Sequence, residues 1–84
     1  MRTVFLDLET IGLDPRTDEI LGVGILDDAG NVLLDSLVRP ARHRRWPGAA
    51  AIHGIAPKDV ANAPTLDELR PRIVAAVHDA LVVI

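Results

Sequence analysis

Near the N-terminus, the stretch VFLDLETIGLDP sets Asp7 and Glu9 one residue apart at the end of an apolar run. In a strand, alternation puts both side chains on one face and turns Leu8 to the other. Two carboxylates that close repel each other, and left alone one would tend to take up a proton. A divalent cation removes the conflict. Mg²⁺ and Mn²⁺ prefer hard oxygen ligands, and Mg²⁺ is often held by one or two carboxylates plus water and substrate phosphate. Two such ions roughly 3.5–4 Å apart can activate a water and stabilise the leaving oxygen in phosphodiester hydrolysis. A bare D-x-E is equally what a strand surfacing into solvent looks like, because charge is costly to bury.

The elements around the pair follow from apolar patterning. Val4–Leu8 reads as a central strand covered on both faces, broken by Gly12 and the polar DPRTDE stretch. Ile20–Leu26 is a second apolar run, in which Gly22 and Gly24 share a face and leave room for close packing. DDAGN, Asp27 to Asn31, is turn chemistry, and Val32–Val38 is a third strand ended by Pro40. These three strands are expected to form an antiparallel meander. Residues 49–53 and 57–60 are expected to make short helical turns. Thr65 to Asp79 predicts a helix, with Thr65 as N-cap and Glu68 as its capping-box partner. Leu66, Leu69, Ile73, Val74 and Val77 form its apolar stripe, and Pro71 lies off that stripe. Leu81–Ile84 begins a fourth strand, which a right-handed crossover would lay parallel to one of the first three. The fold class is therefore α/β.

Composition bounds the rest. With 84 residues, 49% hydrophobic and 25% charged, the chain is one small globular domain at most. Its net charge of −3 gives no global field to attract nucleic acid, so any such contact is local or metal-mediated. There is no cysteine, hence no disulfide or thiolate site. No apolar run has transmembrane length and no signal peptide is visible, so a cytoplasmic protein without membrane contact is the default expectation. Phe5 and Trp46 are the only aromatic residues, which leaves the core to Val, Leu, Ile and Ala. The sequence ends DALVVI with no polar cap, which reads as a single incomplete domain over 1–84.

The full string FLDLETIGLDP resembles the first motif of the DEDD superfamily of 3′–5′ exonucleases, whose core is D-x-E-T-x-G. IHGI (Ile52–Ile55) is similar to the signature that follows the third strand in the proofreading branch. APTLDELRPRIVAAV resembles the helix after it, and ALVVI the strand that leads to the second motif. The resemblance implies a partial ribonuclease H-like fold. It implies that Asp7 and Glu9 are two of four carboxylates holding two Mg²⁺ or Mn²⁺ ions, with Asp7 the one that touches both. It also implies single-stranded DNA or RNA 3′ ends as substrate, and a DNA polymerase or another replication or repair protein as partner. The backbone of Thr10, Ile11 and Gly12 would approach the terminal nucleotide, with Ile11 or Leu13 against its base or sugar; ordinary packing under the loop is the alternative for both. His53 would be structural or would touch substrate at the cleft rim. The second and third motifs, with two further carboxylates and a general base, have no match in these residues.

RPARHRRWPG adds Arg44 and Arg45 beside Trp46. Such arginines neutralise phosphates and a Trp stacks on bases, or the segment is a solvated loop whose Trp fills the core. Two other readings stay open: a non-catalytic nucleic-acid- or protein-binding remnant of the same fold, and a small α+β protein in which D-x-E-T-x-G is coincidence. With two carboxylates and no general base, the 84-residue polypeptide is expected to release few or no nucleotides from a 3′-labelled oligonucleotide in Mg²⁺. Metal-dependent release in that assay would contradict the expectation.

Overall fold

Patterned apolar runs and turn residues give seven elements in the computed structural model, which describes residues 1–84. They are β1 (Arg2–Thr10), β2 (Ile20–Asp27), β3 (Val32–Leu37), α1 (Pro47–His53), α2 (Pro57–Val60), α3 (Leu66–Val77) and β4 (Ala80–Val83). The strands form one sheet in the order β3-β2-β1-β4. β1 and β3 each pair antiparallel with β2, which is the expected meander. β4 returns from α3 to lie parallel to β1. The β2–β3 turn is held by the Asp27 carboxylate, which accepts from the backbone N–H groups of Ala29 and Asn31, while Gly30 takes φ +86°.

The core is split. The main cluster joins Val4, Val23, Ile25, Leu34 and Val38 to Leu69 and Ala76 of α3. It lies on the face of β1 that carries Leu6 and Leu8, which pack against it. The predicted stripe needs correcting at two positions. Leu66 and Val74 are exposed, and Ala76 is buried in their place. A narrow helix on a four-stranded sheet touches it along one line, so the flanks of the stripe stay wet. The helix is also shorter than expected, ending at Val77. Asp79 takes φ 50° there, and the Arg2 guanidinium donates to the carbonyls of Ala76 (3.0 Å) and His78 (2.6 Å). The capping box is present, Glu68 N–H donating to the Thr65 hydroxyl and Thr65 N–H to the Glu68 carboxylate.

A second cluster of Leu21, Trp46 and Val60 gathers Ile11 and Ile55 around it. It arises from a slip in the β1–β2 ladder between Glu9 and Thr10, where Gly22 pairs with Glu9 and Ile20 with Thr10. Leu21 is the residue passed over, and this bulge frees its side chain to seat Trp46 under α1 and α2. No helix is long and apolar enough to cross a membrane.

Glu19 ties the loops together. Its carboxylate accepts from the backbone N–H groups of Ala41 (2.6 Å), Arg42 (2.8 Å) and His43 (2.8 Å), and His43 Nδ1 lies 2.8 Å from it. Its own carbonyl accepts from Ile11 N–H at 3.0 Å. Burial pushes this carboxyl up, but the hydrogen bonds from the His43 ring and the three backbone groups outweigh it and hold the pKa at about 2. A carboxyl lowered in the folded state stabilises above its unfolded value, here 4.5, and that stability is lost as pH falls towards 2. Its side chain is only 14% exposed, so the contribution at neutral pH is on the order of 2–3 kcal/mol. Glu19→Gln should therefore unfold at lower urea concentration at pH 7. It should also lose most of the wild-type decline in stability between pH 4.5 and 2; parallel decline in both proteins would assign that pH dependence to other groups.

Candidate active site

Pairing across the sheet decides what stands beside the two carboxylates. Asp7 lies opposite Gly24 and Glu9 opposite Gly22. A Cβ at Gly22 would touch Glu9 Cβ at 3.6 Å, and one at Gly24 would meet only the Asp7 carbonyl at 4.0 Å. The glycines are thus not forced by a clash; they keep the floor beside the carboxylates bare. The result is an open cleft of about 420 Å³, lined by Asp7, Glu9, Gly22, Gly24 and, at its rims, Asp35 and Ile55. β1 lies between β2 and β4, so the pair sits near the end of a central strand on the face opposite α3.

Neither Asp7 nor Glu9 takes part in any of the ion pairs of the chain. Hard oxygen donors that share one face, open to water and free of cationic partners, suit a divalent ion. No third histidine, aspartate or glutamate stands close enough to complete a set of three. Asp35 is the nearest extension. It lies across Gly24 from Asp7 in one three-strand row. The sequence shows Asp35 within an apolar run, but only the pairing register reveals that it shares the cleft.

The loop after β1 is shaped by its own polar groups. The Thr10 hydroxyl donates to the Gly12 carbonyl at 2.7 Å, so it is committed to the turn. A Cβ on Gly12 would fall 2.4 Å from Asp18 Oδ2, which in turn accepts from Asp14 N–H. A side chain at position 12 would displace the Asp18 carboxylate and with it the hydrogen bond from Asp14 N–H. Ile11 packs against the second cluster, whereas Leu13 is 99% exposed and has no packing role. His53 Nδ1 accepts from Ile55 N–H at 3.1 Å, which leaves Nε2–H to donate to the Thr10 carbonyl at 3.2 Å. The IHGI segment is thereby clamped to the end of β1, and Gly54 closes α1 with φ 77°. Trp46 is 5% exposed, its indole N–H donating to the Ile55 carbonyl at 2.8 Å, so it belongs to the core and presents no stacking face. Arg44 and Arg45 are exposed. Glu19 and Asp18 carry no motif of their own in the sequence; their roles arise from contacts with distant or looped-back backbone.

Comparison with known proteins decides the family. The model of the exonuclease family that includes RNase T matches residues 4–84. The chain belongs to this exonuclease family. It is 31% identical to the PolC-type DNA polymerase III of Thermotoga maritima over 83 residues, which cover 95% of the chain and 6% of the polymerase. An uncharacterized exonuclease, CP81, of Escherichia phage 186 is 38% identical over 66 residues, 79% of the chain and 33% of the phage protein. E. coli exonuclease I, solved with a 5cy-dA13 oligonucleotide, superposes with a TM-score of 0.80 at 22% identity, over 96% of the chain and 20% of that protein. The exonuclease fold is thus shared in the ribonuclease H-like form, and the chain spans a third or less of these relatives.

In this member of the family, the His53 clamp connects the IHGI segment to the carboxylate strand. His53→Ala should cost about 1 kcal/mol in urea unfolding. His53→Gln, whose amide N–H can still reach the Thr10 carbonyl, should cost less. Equal losses in the two variants would mean that bulk, not the hydrogen bond, is what His53 supplies.

Proposed function

We propose that the chain is part of a metal-dependent 3′–5′ exonuclease that hydrolyses phosphodiester bonds at the 3′ ends of single-stranded nucleic acid. The observation that carries this reading is the unpartnered pair Asp7 and Glu9 on one face of a central strand, opposite Gly22 and Gly24. Mg²⁺ or Mn²⁺ ions, when bound, would supply an activated water and stabilise the leaving oxygen. The chain's own residues do the rest of what is proposed. Asp7 and Glu9 offer oxygen ligands without a competing cation. Gly22 and Gly24 leave space for a phosphate to approach them. The turn Thr10–Gly12 presents backbone to the terminal nucleotide, and Leu13, free of the core, lies against its base or sugar. Ile11 supports that turn from below. His53 fixes the turn's position through the Thr10 carbonyl.

The similarity to a PolC-type DNA polymerase supports a DNA 3′ end as substrate and a replication polymerase as partner. The cleft holds Asp7 and Glu9 with Asp35 along its lining, but no three acids or histidines stand close enough to form one metal site, so full activity requires further ligands and a general base.

Titration of Mn²⁺ into the purified chain and into an Asp7→Ala, Glu9→Ala variant tests the assignment. Weak binding in the wild type and none in the folded variant is expected. Identical isotherms would show that the pair holds no metal, and would favour the reading of the chain as a non-catalytic member of the family.

A further inference from the structure

The segment between β3 and α1 is pinned at two points. Glu19 holds the backbone of Ala41, Arg42 and His43, and Trp46 is sunk in the second cluster. Arg44 and Arg45 stand out between the pins, exposed and without any ion-pair partner. The other arginines of the segment are committed, Arg42 to Glu19 and the Thr17 carbonyl, Arg39 to Glu68 and the Ala63 carbonyl.

Arg44 borders a groove of about 270 Å³ that runs between this segment and α2. Arg39, His43, Arg44 and the exposed Pro57 line it above the buried Trp46 and Val60, and no acidic side chain lines it. Lys58, on α2 beside Pro57, is another cation without a partner. In a chain with 12 acidic and 9 basic residues, Arg44, Arg45 and Lys58 are cations left without an ion-pair partner, whereas Arg39 and His43 in the same groove are met by Glu68 and Glu19. The groove also neighbours the carboxylate cleft. Trp46 lines the first, its indole donates to the Ile55 carbonyl, and Ile55 lines the second.

We propose that this groove is a phosphate-backbone subsite for single-stranded nucleic acid, with Arg44 in the groove and its exposed neighbour Arg45 outside it on successive phosphates, and Pro57 against a sugar. Unpaired cations beside an exposed proline ring match the alternation of charge and hydrocarbon along such a strand, and the Trp46–Ile55 contact sets the groove next to the cleft, so that one strand can reach both. The proposal rests on the exonuclease reading for the kind of polyanion, but it needs no metal.

The test is fluorescence anisotropy of a labelled oligothymidylate with the 84-residue chain in EDTA, across a salt series. Arg44→Ala, Arg45→Ala should bind about 5–20-fold more weakly at low salt, with the salt slope reduced by about 0.7 per lost phosphate contact. Arg44→Lys, Arg45→Lys should keep the wild-type slope. Arg72→Ala, which removes an exposed cation from α3 on the other side of the sheet, should change neither. Circular dichroism and Trp46 fluorescence confirm that each variant is folded. Absence of wild-type binding, an unchanged slope in the double alanine variant, or an equal loss in Arg72→Ala would overturn the subsite. Displacement by inorganic polyphosphate as effective as by unlabelled oligothymidylate would replace it with a simple anion site. Asp7→Ala, Glu9→Ala should retain the oligonucleotide in EDTA, so failure of the metal assignment and failure of the groove give different results.

Discussion

Two carboxylates on one face of a central strand cannot be covered by an apolar layer, because burying unpaired charge costs several kcal/mol per group. The rest of the arrangement is shaped by that constraint. The helix α3 packs on the opposite face, against Leu6 and Leu8, and takes the main core with it. The strand facing Asp7 and Glu9 has glycine at both paired positions, so nothing apolar is pressed against them. Where the same face must be covered, at the far end of β1, the ladder slips by one residue and sends Leu21 to meet Trp46 and Val60. The polar cleft and the second core are therefore neighbours on one face, divided at Ile55.

Holding irregular backbone beside such a cleft calls for polar anchors, since little apolar surface is available there. Glu19 is the chief one, and it works in two directions. Its carbonyl fixes Ile11 in the loop after β1, while its carboxylate fixes residues 41–43 in the basic segment. His53 does the same on a smaller scale between the end of α1 and Thr10. Both anchors join segments more than twenty residues apart, which makes the position of the first motif a property of the whole chain. Because the hydrogen bonds to Glu19 are charge-assisted, they are stronger than neutral ones and keep the carboxylate ionised well below neutral pH.

Family membership adds meaning to this geometry. Similarity to exonucleases covers nearly the whole chain, yet the chain spans only a small part of each relative. The stretch that is similar to the polymerase and the phage protein contains most or all of this sheet and its helices, and the fold of that stretch is the one found in E. coli exonuclease I. The basic groove beside α2 is a different kind of feature, because it depends on Arg44 and on the two pins that present it.

The sequence by itself determined the local chemistry and the order of elements. D-x-E at a strand end put both carboxylates on one face, since side-chain alternation needs no partner strand. The turn at Asp27–Asn31, the cap at Thr65 with Glu68, and the parallel return of β4 were also legible, because each rests on short-range hydrogen bonding or on chain chirality. The resemblance of FLDLETIGLDP and IHGI to exonuclease motifs gave the family. Only the tertiary structure decided which residues meet. That Gly22 and Gly24 face the carboxylates, that Asp35 shares their cleft, and that Leu21 bulges out of the ladder are facts of register, which periodicity leaves open. Glu19 and Asp18 became structural through contacts with backbone away from their own positions, and backbone hydrogen-bonding groups are the same at every non-proline residue, so no pattern of residue types announces them; His53 stood out in IHGI, but its partner, the Thr10 carbonyl, did not. The same holds for the helix stripe: Leu66 and Val74 are apolar at the right spacing, but the narrow line of contact between α3 and the sheet had room for Ala76 instead.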